Sequence, residues 1–128
     1  MKILLTGADG FTGRTFAEMA RRGDHEVIAL ESNLVDAKSL AAEVREVNPE
    51  AVVHLAGIAF VGHAHEEAFY SVNVVGTTNL LDALTRLETP PQTVLLASSA
   101  NIYGNCTVSP ITEHQAPAPV NHYAMSKL

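Results

Sequence analysis

Gly7, Gly10 and Gly13 recur every third residue in the segment Thr6-Gly7-Ala8-Asp9-Gly10-Phe11-Thr12-Gly13-Arg14. Residues without a Cβ let the backbone turn tightly and come close to a ligand, and at the start of a helix the unbonded N–H groups and the positive dipole end attract an anion. The pattern is G-x-x-G-x-x-G, not the G-x-G-x-x-G of the usual dinucleotide fingerprint, so its meaning depends on a strand before it and a helix after it. With both in place, the segment reads as a pyrophosphate cradle for NAD or NADP, with Asp9, Phe11 and Arg14 beside the glycines. A second pair is Tyr123 and Lys127, spaced as i and i+4. On a helix these share a face, and the ammonium lowers the phenol's ordinary pKa of about 10 toward the working pH. Tyr123 is thereby a candidate proton donor.

Two charged side chains bear on which dinucleotide fits. Glu31 stands 18 residues after Gly13, at the end of the second predicted strand, where an acid accepts hydrogen bonds from both ribose hydroxyls and repels a 2′-phosphate. That favours NAD. Arg14, just after the third glycine, is placed to pair with such a phosphate and favours NADP. The sequence leaves the choice open.

The elements that must position these groups follow from the apolar pattern. Lys2–Thr6 is a short apolar run ended by Gly7, the form of a strand buried on both faces of a parallel sheet. Phe16, Met19 and Ala20 then mark a helix that Arg21-Arg22-Gly23 terminates. Glu26–Leu30 predicts a second strand. From Asp36, Leu40, Val44 and Val47 form the stripe of a helix closed by Asn48-Pro49, and Ala51–Leu55 is a third strand. One long helix is predicted from about Glu66 to Glu88, with Phe69, Val72, Gly76, Leu80, Ala83 and Leu87 on its apolar face and Pro90-Pro91 as its stop. Thr93–Ser98 is a fourth strand, residues 101–120 an irregular loop, and a helix starts near Asn121. Strands alternating with helices imply right-handed βαβ units, so the expected fold is α/β, a Rossmann-type doubly wound parallel sheet in three layers. Ligands of such sheets lie beyond the carboxyl ends of the strands, where Gly7–Gly13, Glu31, Ala56-Gly57 and Ser98-Ser99 all fall.

Bulk properties exclude several function classes. A chain of 128 residues with 47% hydrophobic and 17% charged content describes one domain with a packed core. Eight Lys+Arg against 14 Asp+Glu leave a net charge of −6, with no basic run beyond Arg21-Arg22, so nucleic acid is not an expected partner. Apolar stretches such as Val52–Ala56 and Val94–Ala97 are too short to cross a bilayer, and the first residues do not have the form of a signal peptide. No membrane partner and a cytoplasmic location are expected. Cys106 is the single cysteine, which excludes an intramolecular disulfide and a multi-cysteine zinc site, and no basic neighbour activates it. His63 and His65 have no flanking ligands and read as solvated, His54 as a core or cofactor-adjacent imidazole with its hydrogen bonds met, so no metal is expected.

Taken in order, Thr6–Gly13, His54-Leu55-Ala56-Gly57, Asn73-Val74-Val75-Gly76-Thr77, Ser98–Gly104 and Tyr123–Lys127 resemble an extended short-chain dehydrogenase/reductase of the NAD-dependent epimerase/dehydratase family. The resemblance implies that Ser99 positions a substrate carbonyl or hydroxyl, that Tyr123 is the acid/base, and that Lys127 lowers its pKa while binding the nicotinamide ribose. It also implies that Asp36 lies near the adenine, that Leu55, Ala56, Gly57 and Ser98 line the cofactor, and that Asn73 supports the central site. Ala100 and Asn101 stand where dehydratases of the family carry an acidic pair, which disfavours dehydration. Four residues separate Glu31 from Asp36, where typical epimerases insert a further helix and strand. That shortening resembles the GDP-4-keto-6-deoxymannose reductases of the family.

The implied function is NAD(P)-dependent reduction of a 4-keto-6-deoxy nucleotide sugar. A nucleotide-sugar 4-epimerase and a non-catalytic dinucleotide-binding fragment are the alternatives. Family members usually run to about twice this length. Residues 1–128 are therefore expected to be the N-terminal NAD(P)-binding Rossmann portion without the C-terminal substrate-binding portion, with little activity alone and with a homodimer expected only of a full-length form.

Overall fold

The computed structural model describes residues 1–59 and 65–128. Among these, β1 (Lys2–Thr6), β2 (Glu26–Ala29), β3 (Ala51–His54) and β4 (Thr93–Leu96) form one parallel sheet in the order β2-β1-β3-β4. Leu4 lies opposite Ile28 of β2 and Val52 of β3. The order reverses at β1, which leaves a crevice beyond the carboxyl ends of β1 and β3.

Both faces of the inner strands are covered, which is why their sequences are apolar without alternation. Ile3, Leu5 and Val53 point to one face, where Ala17 and Ala20 of α1 (Phe11–Arg22) pack on them. Leu4 and Val52 point to the other, against Leu40 and Val44 of α2 (Ala37–Val47) and Leu80, Ala83 and Leu84 of α3 (Thr77–Thr85). Small alanines on α1 let it lie close to the sheet beside the glycine loop. The three-layer doubly wound arrangement expected from the sequence is the one adopted.

Several local expectations are corrected. Met19 is 67% exposed, because the buried side of α1 is set by Gly13, Ala17 and Ala20. The long helix is not uniform: Phe69–Gly76 is a π-helix that runs into α3. Its wider turn brings Asn73, rather than Val72, to the fully buried side and leaves Val74 and Val75 exposed. α3 ends at Thr85, ahead of Pro90-Pro91, where the N–H of Arg86 turns back to the carbonyl of Ala83. Neither β2 nor β4 is as long as expected, and β4 is not buried: Val94, Leu95 and Leu96 are 37%, 50% and 45% exposed on an outer strand that pairs only with β3 among the described residues.

Candidate active site

The glycine loop joins β1 to α1, as expected, but its three glycines do different things. Gly7 has φ 71°, and a Cβ there would meet the Ala56 nitrogen at 2.7 Å and the Leu55 carbonyl carbon at 2.9 Å, backbone that cannot give way. A Cβ on Gly13 would overlap the carbonyl oxygen of Gly7. These two let loop, helix and β3 pack together. Gly10 is different, since its Cβ would touch only that same oxygen, at 3.3 Å. It is also the N-cap of α1 and supplies no side-chain acceptor, so the helix start presents N–H groups uncapped by a side chain. Such an opening fits a pyrophosphate. Asp9 and Phe11 flank it, both exposed. The Arg14 guanidinium has no protein partner among the described residues; with Asp9, Arg21 and Ala29 it lines a cleft of about 590 Å³ running from the loop to the end of β2.

At the end of β2, Glu31 is exposed. Its backbone is held by a residue to which the sequence reading assigned no role. The Glu43 carboxylate on α2 accepts the N–H of Glu31 at 2.8 Å and that of Ser32 at 2.7 Å. Burial pushes the Glu43 carboxyl up, and hydrogen bonds from Ser32 and Glu31 outweigh it, leaving its pKa below the usual value. Asp36 is the N-cap of α2, accepting the N–H of Lys38 and Ser39 and the Ser39 hydroxyl at 2.6 Å, bonds that lower its pKa. That capping explains why an acid stands there, whatever else it contacts.

On the other side of the crevice, Tyr123 and Lys127 are brought in by α4 (His122–Ser126), which Asn121 caps by accepting the N–H of Ala124 at 2.7 Å. Tyr123 is buried edge-on against Phe69, with ring centroids 5.9 Å apart, and its hydroxyl forms no hydrogen bond to a described residue. Lys127 donates from Nζ to the carbonyl of Ala97 at 2.9 Å, and burial lowers its pKa. Ser98 donates its hydroxyl to the carbonyl of Lys127 at 2.7 Å, fastening α4 to the end of β4. Ser99 accepts the N–H of Asn101 at 3.2 Å, which leaves its hydroxyl proton available. A Cβ on Gly57 would lie 2.9 Å from Asn73 Oδ1 and 3.2 Å from Lys127 Nζ. A side chain at Gly57 would therefore push on the Asn73 amide and the Lys127 ammonium.

Asn73, on the π-helix, ties these parts together. Its Oδ1 accepts the N–H of Ile58 at 2.8 Å, and its Nδ2 donates to the Ile58 carbonyl at 3.2 Å and to Ser126 Oγ at 3.0 Å. Ser126 in turn donates to the carbonyl of Tyr123 at 2.8 Å. The polar residues Thr6, Thr77 and Ser126 went unassigned in the sequence. Their signal was a hydroxyl at the end of an apolar strand or inside an otherwise well-patterned helix, which alone does not identify a partner.

His54 is buried, 3% exposed, between Thr6 at Nδ1 (2.6 Å) and Thr77 at Nε2 (2.8 Å). It is the satisfied core imidazole that the sequence suggested. Burial, with a smaller contribution from the charge on Lys127, drops its pKa from 6.5 to about 4. The unfolded chain takes up a proton at this position below about pH 6.5 while the folded chain does not, so its contribution is fully present above that pH and is lost as pH falls toward 4. Unfolding free energies from urea titration are expected to decline over that window, by up to about 3 kcal/mol in all, and His54→Gln to flatten the curve there. A flat parent curve between pH 6.5 and 4.5 would contradict this. His65 is exposed, whereas His63 lies outside the described residues; no group of metal ligands occurs among the described residues. No helix there is long and apolar enough to cross a membrane.

Sheet order, helix layers and the crevice at the strand ends define a Rossmann-like α/β protein. The chain belongs to the NAD dependent epimerase/dehydratase family, whose sequence pattern matches residues 3–128. It is 36% identical over 132 residues to GDP-6-deoxy-D-talose 4-dehydrogenase from Aggregatibacter actinomycetemcomitans, an alignment covering 99% of this chain and 45% of that protein. Among solved structures it is similar to UDP-glucose 4-epimerase from Brucella ovis in complex with NAD (TM-score 0.90, 29% identity, 98% of this chain and 44% of that one). It is also similar to RMD from Pseudomonas aeruginosa complexed with NADPH (TM-score 0.86, 32% identity, 98% and 45%). The chain thus spans less than half the length of these relatives.

Proposed function

We propose that this chain is the dinucleotide-binding part of an NAD(P)-dependent oxidoreductase that reduces a 4-keto-6-deoxy nucleotide sugar. The observation that carries the reading is that the uncapped glycine start of α1 packs through Gly7 on Leu55 and Ala56, next in sequence to Gly57, which presses against Lys127 on the helix of Tyr123. The loop from Gly7 to Arg14, with Glu31 and Asp36, would hold the adenosine and pyrophosphate end. Leu55, Ala56, Gly57, Asn73 and Ser98 would line the nicotinamide end. Bound there, the nicotinamide ring supplies the hydride. Tyr123 delivers its phenolic proton to the sugar oxygen as that oxygen gains charge, Lys127 stabilises the phenolate left behind, and the free Ser99 proton orients the same oxygen.

The relative named for a GDP-6-deoxy sugar and its 4-position supports this substrate class, and so does the direct passage from β2 to α2. A 4-epimerase is the second reading, favoured by the similarity to the Brucella ovis enzyme. To separate them, a protein containing this chain is given reduced cofactor and a 4-keto-6-deoxy nucleotide sugar, or a UDP-hexose with catalytic NAD. Stoichiometric cofactor oxidation supports reduction. Inversion at C4 without net oxidation supports epimerisation, and dinucleotide binding without either reaction supports a binding module.

Cofactor choice has its own test. Glu31→Ala is expected to raise the ratio of NADP to NAD affinity about tenfold, and Arg14→Ala to lower it by a similar factor, the scale of one hydrogen bond to a charged group. If both variants keep the parent ratio, neither side chain is the selector.

A further inference from the structure

The hydrogen bonds around His54 have only one consistent set of proton positions. Thr77 Oγ1 lies 2.7 Å from the carbonyl oxygen of Asn73, which can only accept, so the single hydroxyl proton of Thr77 goes there. Thr77 must then accept from His54, which places a proton on Nε2. On the other side, Thr6 Oγ1 already accepts the N–H of Ala56 at 3.0 Å. Its bond to Nδ1 either receives a proton from an imidazolium or gives one to a neutral ring. A ring so buried, with the Lys127 ammonium nearby, is neutral. Thr6 therefore donates to a bare Nδ1.

The consequence is a directed chain from Ala56 N–H through Thr6, His54 and Thr77 to the Asn73 carbonyl. The backbone N–H of Thr77 goes to the carbonyl of Val74, three residues back, while its hydroxyl reaches the carbonyl of Asn73, four residues back. Beyond Asn73 the chain continues through the amide side chain and Ser126 to the carbonyl of Tyr123. It starts at the wall against which Gly7 packs and ends on the helix carrying Tyr123 and Lys127. We propose that His54 is a positioning residue: as the neutral Nε2–H tautomer it sets the register between the cofactor wall at Ala56 and the Tyr123/Lys127 helix. The catalytic meaning of that register rests on the function proposed above, while the tautomer and the coupling do not.

The test uses the whole chain without ligand. Long-range ¹H–¹⁵N spectra at pH 7 should show a neutral His54 ring protonated at Nε2, still neutral at pH 5. His54→Asn keeps an oxygen where Nδ1 sits and removes the donor to Thr77; it should move the amide signals of Asn73, Ser126 and Tyr123 while those of Leu55 and Ala56 stay near the parent positions. His54→Gln keeps a donor where Nε2 sits and removes the acceptor for Thr6, and it should do the reverse. A purely structural histidine would disturb both sides alike in both variants. An Nδ1–H tautomer, a ring that titrates near pH 6.5, or the absence of that split would overturn the proposal, and the ring signals of the parent chain decide the first two even if a variant does not fold. Loss of dinucleotide binding with the split intact would instead count against the proposed function alone.

Discussion

Gly10→Val is expected to fold like the parent chain and to lose at least about tenfold in affinity for NAD(H) or NADP(H), roughly the worth of one well-made hydrogen bond. The first added carbon meets only the Gly7 carbonyl oxygen, at 3.3 Å, a tight contact that a small shift of the loop relieves. What a branched side chain takes away is approach to the uncapped N–H groups at the start of α1. Gly13→Ala is the contrasting control. Its Cβ would overlap the Gly7 oxygen, so it should destabilise the chain itself, by about 1–3 kcal/mol. Titration of cofactor fluorescence alongside urea unfolding separates the two effects. Parent-like affinity in a folded Gly10→Val chain would show that the loop does not hold the dinucleotide.

Tyr123→Phe is expected to lower turnover about 10²–10⁴-fold, in whichever form of the protein turns over a nucleotide sugar, with cofactor affinity unchanged. The ring's edge contact with Phe69 survives the change, and the hydroxyl makes no hydrogen bond to a described residue that could be lost. Stability should therefore stay close to that of the parent, which isolates the missing proton as the cause. Turnover within a few-fold of the parent would move the acid/base role to another group.

Much of this is legible in the amino-acid sequence itself. The inner strands β1 and β3 declared themselves because both of their faces are buried, and α2 because Asp36 and Asn48 mark its ends in residue types that cap and terminate helices. The glycine loop was legible as a unit, but not the division of labour within it, since close approach of the Gly7 and Gly13 backbone to β3 and to each other is a tertiary fact. The π-helix was illegible because Phe69, Leu80 and Leu87, which have α-helical spacing, are buried all the same, and the burial of a polar Asn73 in place of Val72 has no apolar signal. Met19 misled through composition: a methionine at the right spacing looked like core, yet the small Ala17 and Ala20 are what the sheet admits. Hydrogen-bond chains such as Thr6–His54–Thr77 join β1, β3 and α3, and no local pattern encodes which three polar side chains will meet.

The proposed function requires a dinucleotide to lie along the crevice from the glycine loop to Tyr123 and Lys127. The most direct measurement is amide chemical-shift mapping of the 128-residue chain titrated with NAD and, separately, with NADP. Saturable shifts are predicted for at least one of the two, concentrated on Gly7–Arg14, Glu31, Leu55–Gly57 and Tyr123–Lys127, with the outer face of α3 silent. Shifts confined to another surface, or none with either dinucleotide, would show that the crevice does not hold the cofactor.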